Sequence, residues 1–284
     1  MDTHEQDAWL RVELAKKDQQ EGRTNGHRLS GSLTIVTHCY AEHLPQYAKH
    51  LDIQIRSLRQ WPPTKMMVSL VVCYTREDEH TVDVLAKYAK QDTLPSGLSV
   101  QGYPMTKAQL FRRAIGRNEV SRAHRSDLYW YTDADYFFGP GCIDYLAWYR
   151  RDSALLAPQD VWISVDHETG DKWLARHIDN PSEDIRLDGF AMRRQRVAIG
   201  GVQVVGGTTA REYGYLRGTR WIKEVDPAAG FRTCRCDRAY RGWLERETRK
   251  QAVPIYPPNL YRIRHTQDGR DFNNEGFKLG RKTW

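Results

Sequence analysis

Short apolar runs alternate with helix-patterned stretches across residues 32–151, and that rhythm narrows the architecture more than any other feature. SLTIVTHCY at 32–40 is rich in β-branched residues and predicts a buried strand. Pro45 then opens a helical pattern through Leu51, Ile55 and Leu58, which stops at Trp61-Pro62-Pro63. MMVSLVVCY at 66–74 predicts a second strand, residues 78–91 a helix, and LSVQGYP at 98–104 a third strand. Residues 106–124 predict a helix with Leu110, Ile115 and Val120 inward and Arg112, Arg113, Arg117 and Arg122 on a positive face. DLYWYTDADYFF follows at 127–138, then a helical pattern around 141–151. Such alternation predicts an α/β chain with a mostly parallel, Rossmann-related central sheet flanked by helices on both faces. Ligands of such folds sit beyond the carboxyl ends of the strands, where Thr37–Tyr40 and Asp133–Asp135 would both lie.

The stretch YWYTDADYFFGPG at 129–141 carries the chemistry. Asp133 and Asp135 stand at the end of an aromatic run and are followed by Gly-Pro-Gly. Their hard oxygen ligands suit Mg²⁺ or Mn²⁺, ions that take a bridging partner such as a diphosphate. A turn across Ala134–Tyr136 is expected to aim the carboxylates. The competing interpretation is a solvated turn closed by Gly139-Pro140, against which stands the apolar run Leu128–Tyr131.

Beyond that point the pattern thins. VWISVDH at 161–167 predicts a strand, with Asp166 and His167 at its end. The segment 168–195 is polar and irregular, with Pro181 and Gly189. VAIGGVQVVGG at 197–207 predicts a strand whose glycines 200, 201, 206 and 207 let it pass close to bound substrate or to another backbone. Their spacing is not that of a dinucleotide-binding loop. A helix is expected around 236–249 and a short strand in VPIYPP at 253–258, with the glycine-bearing residues after Asp268 reading as loop. Trp221 and Trp243 are candidates to stack on a sugar or base, or to fill the core.

Charge is unevenly spread. Residues 186–284 hold 21 Lys and Arg against 10 Asp and Glu, a net of +11 in a chain of net +7. That suits a phosphorylated substrate or an acidic polymer, or a solvated face. Five cysteines, at 39, 73, 142, 234 and 236, make no disulfide framework: Cys234 and Cys236 are too close to bridge comfortably and lack a partner pair for zinc. His38 and Cys39 face apart on a strand and cannot form a nucleophilic dyad. No stretch is apolar enough to span a bilayer and the N-terminus has no signal-peptide core, so the expected location is cytoplasmic.

With these motifs in order, the chain resembles nucleotide-sugar glycosyltransferases of the GT-A fold, nearest the inverting, polysaccharide-synthase-like family. The resemblance runs over roughly residues 32–266. It rests on LTIVTHCY, on Arg117-Asn118, on Asp133-Ala134-Asp135, on Cys236-Asp237 before RAYRGWLERE, and on His265 in YRIRH. It implies a polar arm at 1–30, a catalytic domain at 31–266 and a tail at 267–284. Within the domain, 31–140 would be the nucleotide-binding half and 141–266 the acceptor half. Thr37, Tyr40, Arg117, Asn118 and Asp133 would contact the donor, a UDP- or GDP-sugar. Asp135 would hold Mn²⁺ or Mg²⁺ directly, Asp133 would bind the donor ribose or a metal water, and His265 would complete the metal set. Asp237 would be the catalytic base. One departure stands out: Cys236 replaces the first member of the family's acidic pair.

Each assignment has a structural rival. Asp237 could cap a helix with Arg241 one turn on, His265 could sit on a basic surface, and Arg117 and Asn118 could pair with Asp127 or Glu119. The acceptor could be an acidic glycan, a phosphorylated lipid-linked sugar or modified DNA. A nucleotidyltransferase would want a Gly-rich basic loop after the first strand, which THCYAEHLPQY lacks. A non-enzymatic nucleic-acid-binding protein would be indifferent to Asp135→Asn.

Overall fold

The computed structural model describes residues 31–42, 44–89, 93–149, 153–195, 201–217 and 236–265. The N-terminal arm, the tail, Gly200, Trp221 and Cys234 lie outside the described residues.

Strands β1 (Ser32–His38), β2 (Met67–Tyr74), β3 (Leu98–Pro104) and β4 (Leu128–Tyr131) form where the β-branched and aromatic runs lie, and they pair in parallel. The crossover helix α1 (Gln46–Gln60) begins behind Pro45, whose fixed φ suits a helix start. In α2 (Glu79–Tyr88) the Asp78 carboxylate accepts from the Thr81 amide. The expected helix over 106–124 is broken in two. α3 (Lys107–Leu110) is opened by a Thr106–Gln109 capping box, and Arg112, at φ −112° and ψ 73°, separates it from α4 (Arg113–Ala123).

β9 (Gln203–Gly206) then inserts antiparallel between β4 and β6 (Leu155–Pro158), and β10 (Val253–Ile255) closes that edge. The seven-stranded order is β10-β6-β9-β4-β1-β2-β3, a mixed, mostly parallel central sheet flanked by helices. A second sheet of order β5-β11-β7-β8 was not foreseen. It joins β5 (Tyr136–Phe138), β11 (Leu260–Arg262), β7 (Asp160–Ser164) and β8 (Phe190–Arg194). Its pairs are non-local: β5 and β11 lie over a hundred residues apart, beyond the reach of a local pattern.

Two further expectations are corrected. The polar stretch after 167 is helical as α5 (His167–Asp179), capped by Asp166, whose side chain accepts from the Thr169 amide. Its buried face is Gly170, Trp173, Leu174 and His177, a helical spacing hidden in the sequence because two of the four are not apolar. In place of a helix over 141–151 there is a short 3₁₀ turn at Asp144–Trp148. Two more helices complete the described chain, α6 (Gly207–Tyr213) and α7 (Cys236–Thr248).

Alternation along β4 splits the core. Leu128 and Trp130 face the cluster around α1, while Tyr129 and Tyr131 face α4 and α7. All four are essentially unexposed, and burying each contributes about 1.5–3 kcal/mol. The same alternation sends the next residue of the odd register, Asp133, to the α4 side. Cys39, Cys73, Cys142 and Cys236 are buried free thiols, as core packing predicts.

Candidate active site

The main chain leaves the large sheet at Tyr131 and enters the small one at Tyr136, so Asp133-Ala134-Asp135 is the turn that joins them. The Tyr136 amide donates to the Asp133 carbonyl at 3.2 Å, closing the expected turn. Gln54 of α1, wholly buried, clamps it: its Nε2 donates to the Asp133 carbonyl at 3.2 Å and to the Tyr136 carbonyl at 2.8 Å. From the far side the Ile263 amide donates to the Asp135 carbonyl at 2.9 Å. Two separate segments and the turn's own hydrogen bond therefore hold it, which is why two carboxylates can stand at the edge of a packed core.

Both carboxylates are met by guanidiniums. Asp133 Oδ1 accepts from Arg113 Nη1 and pairs with Arg117 Nη2 at 3.5 Å. Asp135 Oδ2 accepts from Arg262 Nε at 2.9 Å. Burial alone would raise the Asp133 carboxyl, but Arg113, Arg117 and Arg262 outweigh it and bring it down to about 2. The other Asp135 oxygen, Oδ1, is buried and has no protein partner. Such an acceptor in a buried carboxylate asks for a ligand, since a lone buried oxygen is costly.

Arg117 is unexposed, and its partners explain how a buried cation is tolerated. Its Nη1 donates to the Tyr215 hydroxyl at 2.8 Å, and its guanidinium lies 5.4 Å and 5.8 Å from the ring centroids of Tyr215 and Tyr131. The Tyr215 hydroxyl donates onward to Gln203 Oε1 at 3.0 Å, and Gln203 Nε2 donates to the Asp237 carbonyl at 3.0 Å. A buried chain of hydrogen bonds thus links the carboxylate of Asp133 to the first turn of α7, where Asp237 stands half-buried. Gln203, paired with Tyr131, opens β9 at this end of the sheet.

His265 lies at the same end, two residues beyond the strand contact to Asp135. Its Nδ1 is 3.0 Å from Gln46 Nε2, its ring stands 4.8 Å edge-on from that of His50, and its carbonyl contacts His167 Nδ1 at 2.6 Å. It is buried among α1 side chains rather than on a basic surface. Burial and His265 lower His50 to about 3, so His50 is neutral. Among the described residues no three His, Cys, Asp or Glu side chains converge as a metal set. Asp166 caps α5, and His167 Nδ1 contacts the His265 carbonyl.

Thr37 is buried at the end of β1 with an unpartnered hydroxyl, and Tyr40 packs against Tyr47 at 4.7 Å and Phe111 at 6.1 Å. His38 points to the α4 side, where burial first, then Arg117 and Arg113, keep it neutral. Cys39 points the other way and accepts from Thr81 Oγ1, consistent with rejecting a dyad. Asn118 faces away from Asp133: its Oδ1 accepts from the Leu216 amide at 3.3 Å. Gly206 and Gly207 lie at the opposite end of β4 from the carboxylates, because β9 runs antiparallel, so they line no pocket beside Asp133. A side chain at Gly207 would strike the Ser126 carbonyl. Trp243 packs beside Tyr213 and Tyr240.

Sequence reasoning missed Gln54, Gln203 and Tyr215 as site residues, and Arg262 as the partner of Asp135. Arg262 and Gln203 carried a signal, a charged or amide residue in an otherwise apolar strand. Gln54 and Tyr215 carried none.

No protein-family model matches the sequence, and neither does any curated protein. Solved structures with a similar fold include a mannosyltransferase from Pyrobaculum calidifontis in complex with GDP-Man and Mn²⁺. That match has 10% identity and a TM-score of 0.46, covering 89% of this chain and 64% of that one. Mouse xyloside xylosyltransferase 1 matches at 12% identity and TM-score 0.45, covering 79% and 85%. The glycosyltransferase GlyE of Streptococcus pneumoniae matches at 12% and 0.42, covering 80% of this chain and 45% of that one. This chain thus spans under two thirds of the first of these. At such values the likeness carries no argument, and the site stands on its own geometry.

Proposed function

We propose that the chain moves a sugar from a UDP- or GDP-sugar to an acceptor hydroxyl, with inversion at the anomeric carbon and Mn²⁺ or Mg²⁺ at the carboxylate turn. The observation that carries this is the clamped Asp133–Asp135 turn at the carboxyl end of β4, with the unpartnered Asp135 Oδ1 inside it. Two carboxylates without a third protein ligand fit Mg²⁺ and Mn²⁺, which commonly use one or two carboxylates and complete their shells with water and substrate phosphate. Bound there, such a cation supplies a Lewis acid that offsets charge on the departing diphosphate.

The chain's own residues do the rest. Asp237 accepts the proton of the acceptor hydroxyl as that oxygen bonds to the anomeric carbon. The bond from that carbon to the diphosphate oxygen breaks, and its electron pair leaves with the nucleoside diphosphate. Asp237 stands half-buried in the first turn of α7, where the helix dipole favours negative charge. Thr37 and Tyr40 at the end of β1 would contact the donor, and Arg117 would face its phosphates. His265 would order the cation's surroundings through Gln46. The net +11 of residues 186–284 favours an anionic acceptor, whether a glycan, a phospholipid-linked sugar or modified DNA. Among the described residues no helix is long and apolar enough to cross a membrane, and the proposed setting is the cytoplasm.

Calorimetry against a panel of nucleotide sugars, with and without Mn²⁺, tests the proposal. One donor should bind in a Mn²⁺-dependent way, and Asp135→Asn should abolish transfer while circular dichroism stays native. A panel in which no nucleotide sugar binds under either condition would overturn it.

A further inference from the structure

The arginines around the turn do more than neutralise it. Arg113 and Arg117 occupy Asp133, and Arg262 occupies one oxygen of Asp135. The three guanidiniums and two carboxylates leave this group at a formal +1. Arg117 is unexposed and held by Tyr215, whereas the side chains of Arg113 and Arg262 reach the surface, at 21% and 36% exposed. Resting on the functional reading above, we propose that these guanidiniums latch the carboxylates, so that a divalent cation and a diphosphate enter the site together and neither enters well alone.

The charges give the reason. A dication arriving alone must displace guanidiniums from the oxygens it needs, and it raises the group from +1 to +3 at short range, where repulsion is strong. A nucleoside-diphosphate sugar arriving alone brings two negative charges against carboxylates that are still in place. Arriving together, the cation takes the carboxylate oxygens, the phosphates take Arg113 and Arg262, and the group returns to +1. Asp135 Oδ1, buried and without a protein partner, is the oxygen that no guanidinium already holds. The residual positive charge is then in place for the third negative charge that appears on the diphosphate as the sugar leaves. Linkage requires the coupling to be reciprocal: each ligand raises the affinity of the other by the same factor.

Simple contact between cation and phosphate would also couple the two ligands, so the test must isolate the arginines. Free Mn²⁺ is followed by electron paramagnetic resonance while MnCl₂ is titrated alone into the wild type, Arg262→Gln and Arg113→Gln. UDP and GDP are titrated calorimetrically with and without the metal. The latch predicts weak binding of Mn²⁺ alone to the wild type and at least tenfold tighter binding once nucleotide is present. In Arg262→Gln, Mn²⁺ alone should bind severalfold more tightly and nucleotide alone more weakly, shrinking the coupling factor. Arg113→Gln, a partly exposed position on α4, should move both in the same directions. Unchanged affinity for Mn²⁺ alone in both variants would overturn the latch, as would wild-type Mn²⁺ affinity that is indifferent to a nucleotide that does bind. If neither nucleotide binds under any condition, the functional reading fails instead, and the manganese titrations of the variants still decide the latch.

Discussion

Tyr215→Phe removes one oxygen from the middle of the buried chain between Asp133 and α7. The ring should stay, stacked on Tyr240 at 4.0 Å and edge-on to Tyr131 at 5.0 Å, so packing volume hardly changes. What is lost is the acceptor for Arg117 Nη1 and the donor to Gln203 Oε1, both on residues with no exposed surface. A hydrogen bond to a charged group contributes about 1.5–3 kcal/mol, and a buried acceptor left without a donor costs about 1–3 kcal/mol. Allowing for relaxation of the Gln203 amide, the substitution should cost about 3 kcal/mol. For a domain of this size that lowers Tm by roughly 6–12 °C. Urea unfolding of Tyr215→Phe, Gln203→Leu and the double variant forms a cycle. The two changes should be non-additive by about 1 kcal/mol or more, because they remove the same bond. A loss below about 1 kcal/mol for Tyr215→Phe, or strict additivity, would show that the network is not a unit.

Two other expectations concern the frame of the site. Gly170→Ala places a methyl group against the Arg264 carbonyl, backbone that cannot swing aside. It should destabilise by about 2–4 kcal/mol in chemical denaturation, whereas Ala at an exposed helical position would stabilise, and a neutral result would refute the close approach. The Asp133 carboxyl is held at about 2, below its unfolded value of about 3.9. The stability it contributes, on the order of 2 kcal/mol, is therefore complete above about pH 4 and lost as pH falls toward 2. Asp133→Asn should flatten the acid limb of the stability curve in that window, and an unaltered slope would refute the pairing.

The parallel half of the molecule was legible because it is written locally. β1, α1, β2, α2 and β3 each carry a periodic pattern and a local boundary, such as Pro45 at the start of α1 or Asp78 at the start of α2. Asp133 and Asp135 were legible as a pair because carboxylates after LYWY have few uses in a core. What could not be read were partners brought in from elsewhere. Arg262 reaches Asp135 across 127 residues and Arg117 reaches Tyr215 across 98. The division into two sheets was equally hidden: the turn expected within YWYTDADYFF gives no sign that the chain changes sheets there. Arg117 and Asn118 diverge because helix periodicity separates them by about 100°, so one faces the carboxylates and the other the loop at 214–216.

The pairing of Phe138 with Leu260 has a consequence for how the protein matures. A ribosome must deliver the chain almost to its last described residues before Arg262 can meet Asp135. Until then the acidic turn stands exposed beside an unsatisfied strand edge, which is a vulnerable period for a nascent chain. Contacts so distant along the polymer also form late, because closing a long loop must precede any reward. The last cationic arm to join the turn is thus also the one that reports completion, and ligand competence arrives with the final stitch rather than with the main sheet.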